Sequence, residues 1–363
     1  MEKLLPPLPT LPITSQETLR KCAELPVGDK DIFIASFPKS GTTWMQNIVY
    51  QLVAAERSTM MSSSSVVAPT TSQNSSNSNG TTSPNGNMDE LPFEHISDYA
   101  PFYDIDAHWD EQSDTSSGGG APRMVAKIRT AHERLGYRIF NTHLRWDMLP
   151  HSSEKNVATG TAKYIYVVRD GRDVLTSFYH HLTNQHVDDG GFDGDFESFF
   201  QQFLDGTVAY GRWSHHLASW MPHIVGDDPT TGDNTTQRKD STILLVRYED
   251  LKTDLKQQVI RIADFLKLKN IASGATSSSA DQQLLDRVLE KVSFEWMREH
   301  QNLFHPISVR WKPGYNFIRK GHVGDHDCIF DEVHKAKFMA SVVADFGGQE
   351  KVPDWLHKYC FHH

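Results

Sequence analysis

The 363-residue sequence has few cysteines, a shortage of positive charge and no long apolar run. Its three cysteines, Cys22, Cys328 and Cys360, are too far apart for a metal-binding or disulfide framework, so we expect reduced thiols. Lys and Arg number 36 against 46 Asp and Glu, which gives a formal net charge of −10. Because nucleic-acid binding depends on clustered cations, this balance argues against a nucleic-acid partner and restricts any anion site to a local cluster.

No segment approaches the roughly 18 uninterrupted apolar residues of a membrane span. The N-terminal stretch MEKLLPPLPTLPITSQ contains leucines but is interrupted by four prolines, so it lacks the apolar segment of a signal peptide. We therefore expect a cytoplasmic protein without a membrane partner. A hydrophobic content of 38% is enough to build a full core.

Four stretches have the composition of disordered surface insertions. They are rich in Ser, Thr, Asn, Gly and Asp, and they cover residues 58–87, 111–122, 225–241 and 271–281. Their low hydrophobicity cannot repay the entropy lost when a chain becomes ordered. We expect residues 1–363 to form a single domain that these insertions interrupt.

Between the insertions, patterns of buried strands alternate with patterns of helices. The predicted strands are DIFIASF (31–37), YRIFNTH (137–143), AKYIYVVRD (162–170) and TILLVRYEDL (242–251). Strands that alternate with helices predict an α/β fold with a central parallel sheet flanked by helices. Ligands of such sheets bind at the carboxyl ends of the strands, where residues 36–44, His143 and Arg169 are expected to lie.

The segment FPKSGTTWMQN (37–47) has the Gly, Lys, Ser and Thr of a phosphate loop in an unusual order. In an ATPase loop the Lys follows the second Gly, and the next hydroxyl residue holds Mg²⁺; here Lys39 precedes Gly41. Gly41 permits a turn, and the N–H groups of residues 40–43 can open a helix toward an anion. Taken alone, SGTT is equally compatible with an ordinary helix N-cap. The motifs further along the chain favour a phosphate-binding loop.

Four segments in one order, FPKSGTTW, NTHL, VVRDGRDVLTSFYHH and FIRKGHVGDH, resemble the signatures of the cytosolic sulfotransferases. Those enzymes use 3′-phosphoadenosine 5′-phosphosulfate (PAPS) as sulfuryl donor. The resemblance covers residues 28–55, 91–110 and 136–330 apart from the insertions. It implies transfer of a sulfuryl group to a hydroxyl of a small hydrophobic phenol, sterol or alcohol. The products would be a sulfate ester and adenosine 3′,5′-bisphosphate (PAP), and no metal is required.

The resemblance also implies a donor site. It assigns the 5′-phosphosulfate to the loop residues Lys39, Ser40, Gly41, Thr42 and Thr43. It assigns the adenine to Trp44, with Tyr210 and Ser293 as further contacts, whereas Phe294 and Met297 are expected to pack in the core. It assigns the 3′-phosphate to Arg169, Ser177, Arg319, Lys320 and Gly321.

His143 in NTHL matches the family's catalytic base. The near-neutral unperturbed pKa of histidine suits removal of a proton from an acceptor hydroxyl. Lys39 is expected to stabilise charge that develops on the leaving phosphate and on the sulfuryl oxygens. Asn141 departs from the family pattern, which usually has Lys there, and it cannot neutralise the transferring group. His326 stands where Trp is usual. The segment DCIFDEVHKAKF does not match the short dimer motif of animal enzymes, so we do not expect a homodimer by that route.

The acceptor pocket is predicted to use aromatic residues near His143. Its residues are expected to be Phe93, Phe102, Tyr103, Asn141, His143 and Trp146. The aromatic residues among them are equally compatible with an ordinary core. The adjacent pairs His180-His181 and His215-His216 point about a hundred degrees apart on a helix, so neither predicts a metal site.

Two other functions remain open from the sequence. An ATP-dependent small-molecule kinase would need Mg²⁺ and would have no use for Arg169, Ser177 and the RKG segment. A weakly active nucleotide-binding scaffold is suggested by Asn141 and by the long insertions.

Overall fold

The structure, a computed structural model, describes residues 7–64, 93–109, 124–151, 161–224, 242–271, 279–354 and 356–357. These residues form a single α/β domain around a four-stranded sheet in the order β2-β1-β3-β4. The strands are β1 (Asp31–Ser36), β2 (Arg138–Thr142), β3 (Lys163–Val168) and β4 (Ile243–Arg247). Every neighbouring pair is parallel, and each strand lies within a segment predicted as one. The predicted fold class is therefore confirmed.

Helices connect the strands and cover both faces of the sheet. In the described part of the chain they are α1 (Gln16–Glu24), α2 (Thr42–Ser64), α3 (Ile96–Tyr99), α4 (Asp106–Trp109), α5 (Met124–Leu135), α6 (Gly171–Thr183), α7 (Phe196–Asp205), α8 (Trp213–Trp220), α9 (Tyr248–Thr253), α10 (Leu255–Leu266), α11 (Ser279–Lys291), α12 (Phe294–Glu299) and α13 (Glu332–Phe346).

The sheet is buried on both faces because successive side chains of a strand point to opposite sides. Phe33 of β1 belongs to one hydrophobic cluster, which α6, α7, α8 and α13 cover. Ile32 and Ile34 belong to the other cluster, which α2, α5, α10 and α11 cover. This double burial explains why the strands read as nearly continuous apolar runs in the sequence.

Polar residues fix the chain where β1 and β3 end. Ser36, the last residue of β1, has its Oγ 2.6 Å from Oγ1 of Thr42, the first residue of α2. Asp170 caps α6 by accepting a hydrogen bond from the backbone N–H of Arg172 at 2.9 Å, and its carboxylate also pairs with the Arg172 guanidinium. These contacts hold the two loops at the carboxyl edge of the sheet.

At two boundaries the structure differs from the predicted insertions. α2 continues to Ser64, so residues 58–64 are helical, and the hydroxyls of Ser58 and Thr59 donate to carbonyls four residues earlier. Ile271 is fully buried, and α11 includes residues 279–281. The polar residues 58–64 and 279–281 therefore belong to the ends of helices, and the prediction of disordered insertions was wrong for them. Residues 65–87, 111–122, 225–241 and 272–278 lie outside the described part of the chain, and their disorder stays a prediction.

Within the described ranges, no helix has both the length and the apolar character needed to cross a membrane.

Candidate donor and catalytic site

The loop between β1 and α2 has the backbone geometry of an anion-binding site. Lys39 and Gly41 have φ angles of 70° and 105°. A Cβ on Gly41 would lie 2.8 Å from the Tyr248 ring, so only glycine fits there. The first turn of α2 leaves N–H groups without intrahelical partners, and the buried Ser40 hydroxyl has no hydrogen-bond partner among the described residues. These donors suit phosphate or sulfate oxygens.

The Lys39 ammonium lies in a partly aromatic, cationic environment. Its Nζ is 3.1 Å from Nδ1 of His181 and 4.8 Å from the centroid of the Phe317 ring. Burial lowers the pKa of Lys39 to about 7, and the charges of Arg169 and Arg319 add to that shift. A bound anion would relieve both the desolvation and the repulsion between these cations.

Arg169, directly after β3, joins three parts of the site. Its Nη1 lies 3.4 Å from the Lys39 carbonyl oxygen, and its Nη2 donates to the His322 carbonyl at 2.9 Å. Its guanidinium carbon is 4.4 Å from the centroid of the Tyr248 ring. The buried Nε has no partner among the described residues. The structure thus brings Arg169 together with the phosphate loop and with the segment after the RKG motif.

The RKG motif is held in place by an acidic residue. Arg319 and Lys320 both pair with Asp325, with a Lys320 Nζ to Oδ1 distance of 2.9 Å. Gly321 has a φ of 63°, and a Cβ there would lie 2.4 Å from Cε2 of Phe294. The cations therefore extend from a backbone that needs glycine for both conformation and space.

Asp173 connects α6 to the segment that follows the RKG motif. Its carboxylate accepts hydrogen bonds from Nδ1 of His326 at 2.8 Å and from the backbone N–H groups of Gly324 and His326 at 3.0 Å. It also pairs with Arg169 at 3.3 Å. Burial alone would raise the pKa of Asp173, but the His326 hydrogen bond and the Arg169 charge hold it below its usual range. His326, the departure from the family's Trp, thus stabilises this segment.

Three polar residues follow one another along α6 at intervals of four. Asp173, Ser177 and His181 lie on nearly the same face of the helix, because four residues advance it by only slightly more than one turn. Asp173 contacts Arg169 and His181 contacts Lys39. Ser177 is partly exposed and lies between Asp173 and His181 in the sequence of this face, and its role in phosphate binding stays a prediction.

The predicted adenine platform, Trp44, lies against a residue that the sequence reasoning missed. Its ring is 5.5 Å from that of Tyr248 in an edge-on arrangement, and its Nε1 donates to the Val292 carbonyl at 2.8 Å. Tyr248 directly follows β4, contacts Gly41 and lies under Arg169. Its position within the predicted segment TILLVRYEDL (242–251), where the strand gives way to a helix, was the available signal.

The segment before α12 reaches the same region. Lys252 places its Nζ 5.2 Å from the Phe294 ring and 5.9 Å from the Trp44 ring, so Phe294 lies near the adenine platform and is only partly buried. Met297 is buried in the core, as expected. The Ser293 hydroxyl accepts from the Trp296 N–H and donates to the Glu290 carbonyl, so it caps α12.

His143 follows β2 and is fixed from three sides. Its backbone N–H donates to Asp104 at 2.7 Å, and its carbonyl accepts from Nε2 of His216 at 3.0 Å. Its Nδ1 is 2.8 Å from the Ser36 carbonyl oxygen. Because a carbonyl can only accept, Nδ1 carries the proton and Nε2 has a free lone pair. Burial lowers the pKa of His143 to about 4; the bond to Ser36 opposes this shift and the charge of Lys39 adds to it.

Tyr210 lies beside His143 rather than in the adenine region where it was predicted. The two rings are 5.2 Å apart and edge-on, and the Tyr210 phenol interacts with the buried carboxylate of Asp104. The backbone N–H of Tyr210 donates to the Pro9 carbonyl at 2.6 Å. Burial raises the pKa of Asp104 to about 7, against hydrogen bonds from Thr142 and His143. The resemblance assigned Tyr210 of AYGRW to the adenine and did not predict this placement. The placement depends on the path of the loop before α8.

Of the predicted acceptor aromatics, Phe102 alone has its ring against His143, at 5.4 Å. The other three pack in the core. Phe93 stacks on Tyr50, fully buried Tyr103 contacts Phe33 and Phe140, and Trp146 contacts Tyr164 near the start of β3. Asn141 donates its side-chain amide to the Ala100 carbonyl at 3.1 Å, so that it supports the segment leading to Phe102.

The site gathers cations and helix N–H groups at the carboxyl edge of a parallel sheet, an arrangement that suits an anionic ligand. No cluster of three or more His, Cys, Asp or Glu residues suited to a metal ion occurs in the part of the chain that the structure describes.

The sequence matches a family described as the sulfotransferase domain over residues 29–348, and the chain belongs to this family. It is 26% identical over 314 residues to mouse Sulfotransferase 1B1, a match that covers 85% of this chain and 80% of the relative. It is also 26% identical to human Sulfotransferase 1E1, covering 85% and 81% of the two chains. The chain is thus a PAPS-dependent sulfotransferase, and the kinase alternative is not favoured.

Solved structures share the fold. Mouse sulfotransferase SULT7A1, complexed with PAP, superposes with a TM-score of 0.56 at 20% identity and covers 96% of this chain and 94% of its own. Retinol dehydratase, in a complex with retinol and PAP, has a TM-score of 0.54 at 19% identity and covers 92% and 87%.

Proposed function

We propose that this sulfotransferase moves a sulfuryl group from PAPS to a hydroxyl of a small hydrophobic phenol, sterol or alcohol. The observation that carries this proposal is the state of His143. Its Nδ1 is bound to the carbonyl of Ser36, the residue that ends β1 just before the phosphate loop, which leaves Nε2 as a proton acceptor.

The residues present fit the donor's two anionic groups. The first is the loop that begins with Lys39, where the buried Ser40 hydroxyl lacks a partner among the described residues and the Gly41 conformation opens the start of α2. We assign the 5′-phosphosulfate to Lys39, Ser40, Gly41, Thr42 and Thr43.

The second anionic group is the 3′-phosphate, which we assign to Arg169, Ser177, Arg319, Lys320 and Gly321. Arg169 has a buried Nε without a partner among the described residues. We assign the adenine to Trp44 and add Tyr248, since the two aromatic rings are neighbours. The assignment of Ser293 to the adenine is kept as a proposal, although its hydroxyl already caps α12.

In the proposed reaction PAPS supplies the sulfuryl group together with a phosphate leaving group. Nε2 of His143 accepts the proton of the acceptor hydroxyl as that oxygen forms its bond to sulfur and the sulfur–phosphate oxygen bond breaks. The ammonium of Lys39 stabilises the charge left on the phosphate, and the loop N–H groups share that charge. Asp104 and His216 hold the backbone of His143, so the imidazole is oriented before the acceptor arrives.

The acceptor end of the site is aromatic. The rings of Phe102 and Tyr210 both lie edge-on to the ring of His143, at 5.4 Å and 5.2 Å. Aromatic walls around one proton acceptor favour a hydrophobic molecule with a single reactive hydroxyl. Retinol dehydratase, which shares this fold, has been solved in complexes with retinol and with androsterone. Phe93, Tyr103 and Trp146 are left out of this pocket because they pack in the core.

One observation favours a second candidate, a weakly active nucleotide-binding scaffold. Asn141 stands where the family usually has a lysine, so it brings no positive charge to the site. Its side-chain amide donates to the Ala100 carbonyl. This candidate predicts that PAPS binds without transfer to any acceptor.

The test is transfer of labelled sulfate from PAPS to a panel of phenols, sterols, flavonoids and primary alcohols. The proposal expects turnover with at least one member and a loss of roughly 10²- to 10⁴-fold in His143→Ala and Lys39→Ala. Full activity in both variants would contradict the mechanism. PAPS binding with no turnover on the whole panel would favour the scaffold.

A further inference from the structure

His181 lies at the donor site, at the end of the segment VVRDGRDVLTSFYHH, although no role is assigned to it in donor binding or in the proposed reaction. Its Nδ1 is 3.1 Å from Nζ of Lys39 and 3.2 Å from the hydroxyl of Tyr315. Its ring is 4.9 Å from that of Trp311 and 6.1 Å from that of Phe317. The imidazole is therefore fixed between an aromatic wall and the one lysine that the phosphate loop supplies.

The chemistry of the pair sets the direction of the hydrogen bond. When Lys39 carries its proton, as the proposed reaction requires, its ammonium can only donate, so Nδ1 of His181 is the acceptor and the ring proton is on Nε2. The Tyr315 hydroxyl shares the same lone pair. Burial lowers the pKa of His181 well below its usual range, and the charge of Lys39 adds to that shift, so the ring is neutral and suited to this role.

The bond matters because a lysine side chain has four flexible single bonds and much to lose in conformational entropy. The backbone of Lys39 is fixed by its positive φ and by the contact between its carbonyl and Arg169. Its ammonium, at the far end, is fixed by α6 through His181. Three N–H groups allow the ammonium to keep this bond and still donate to the donor's oxygens.

We propose that His181 is a positioning residue that holds the Lys39 ammonium over the phosphate loop. This inference rests on the proposed role of Lys39 in transfer. His181 forms no bond to the reacting atoms; it reduces the freedom that Lys39 must lose when charge develops on the leaving phosphate.

Three substitutions test the role. His181→Phe keeps an aromatic ring and removes the acceptor, whereas His181→Asn keeps an acceptor oxygen near the position of Nδ1. His223→Phe is the matched control, because it makes the same chemical change on an exposed ring that stacks on Trp146, near the start of β3. Each is assayed with labelled PAPS in the wild-type and Lys39→Met backgrounds.

A hydrogen bond to a charged group is worth enough to predict a loss of roughly 10-fold or more in kcat for His181→Phe. The KM for PAPS should change by less than about threefold, because most donor contacts remain. His181→Asn should recover kcat to within about threefold of wild type, and His223→Phe should match wild type. In the Lys39→Met background, His181→Phe should change kcat by less than about twofold, since the partner is already absent.

Equal losses from His181→Phe in both backgrounds would overturn this inference and leave the sulfotransferase reaction intact. An unchanged kcat, or no recovery in His181→Asn, would overturn it as well. If wild type binds PAP but transfers to no acceptor, the proposed function fails. Thermal unfolding of wild type, His181→Phe, Lys39→Met and the double variant then decides the pairing: the Tm losses of the two single variants must be non-additive in the double variant, and additive losses refute the contact.

Discussion

Lys39 should take up a proton when PAP binds at alkaline pH. Its ammonium is buried beside Arg169 and Arg319, which lowers the pKa of Lys39 to about 7 in the free protein. A bound 5′-phosphate places negative charge next to it and returns the pKa toward its ordinary value of about 10.4. Above pH 7 the free protein is therefore largely deprotonated at Lys39, whereas the complex is protonated.

The expected size follows from the pKa. At pH 8 about one-tenth of the free protein carries the charge, so binding takes up about 0.9 proton per PAP. The affinity for PAP should then be about tenfold weaker than with a fully charged lysine, which corresponds to ~1.4 kcal/mol. It should weaken about tenfold again at pH 9. At pH 6 both forms are charged and the uptake from Lys39 falls to about 0.1.

The assay is calorimetric titration with PAP at pH 7, 8 and 9 in buffers of different ionisation enthalpy. The second pKa of a phosphate group is near 6, so the ligand itself contributes little to the proton uptake in this range. Asp104 and Glu249, whose pKa values burial raises to about 7, are further groups that titrate here. The Lys39→Arg variant separates the proton uptake of Lys39 from that of Asp104 and Glu249, because a guanidinium stays charged throughout this pH range.

The reasoning is refuted if wild type takes up less than about 0.2 proton at pH 8. It is also refuted if the decline in affinity above pH 7 persists unchanged in Lys39→Arg. Either result would mean that the ammonium keeps its charge in the free protein despite its burial.

Other substitutions separate the two ends of the site. Tyr248→Leu should raise the Kd for PAP about tenfold, because it removes the edge-on ring contact with Trp44 and the cation–π contact with Arg169. Tyr210→Leu should instead raise the acceptor KM. Calorimetry and steady-state kinetics distinguish the two effects, and the reverse pattern would contradict both assignments. Gly41→Ala should lower Tm and weaken PAP binding, because the new methyl group would meet the Tyr248 ring at a positive φ; a variant with wild-type Tm would refute this. His143→Gln should lower kcat by about 10²- to 10⁴-fold with an unchanged Kd for PAP, and a loss confined to PAP affinity would argue against a base.

The fold was largely predictable because buried parallel strands leave a strong mark in sequence. All four strands lie within predicted segments. Double burial makes β1, β3 and β4 nearly continuous apolar runs, whereas the edge strand β2 contains the partly buried Arg138 and Asn141. The phosphate loop and the RKG motif were also predictable, because each depends on a glycine with positive φ and on cations next to it in sequence.

The remaining site residues depend on tertiary placement. Phe102 and Tyr103 are adjacent in sequence, yet the first meets His143 and the second points into the core. Tyr248 and Tyr210 are both plausible adenine contacts in sequence, and only the folded chain places Tyr248 beside Trp44 and Tyr210 beside His143. His181 differs from His180 only by its face on α6. Composition carries no information on these choices, which are made when helices dock on the sheet.

The backbone angle of Lys39 has a consequence for engineering. Among the described residues other than glycine, three have positive φ, namely Lys39, Tyr210 and Lys267. Lys39 contacts His181 at the donor site, and Tyr210 contacts His143. A lysine in that conformation costs about 1 kcal/mol that a glycine would not. Selection for thermal tolerance alone would therefore favour glycine at these two positions, with loss of activity. A stabilised version of this enzyme is better sought at Lys267, the positive-φ residue that caps α10 and has no assigned role at the donor site.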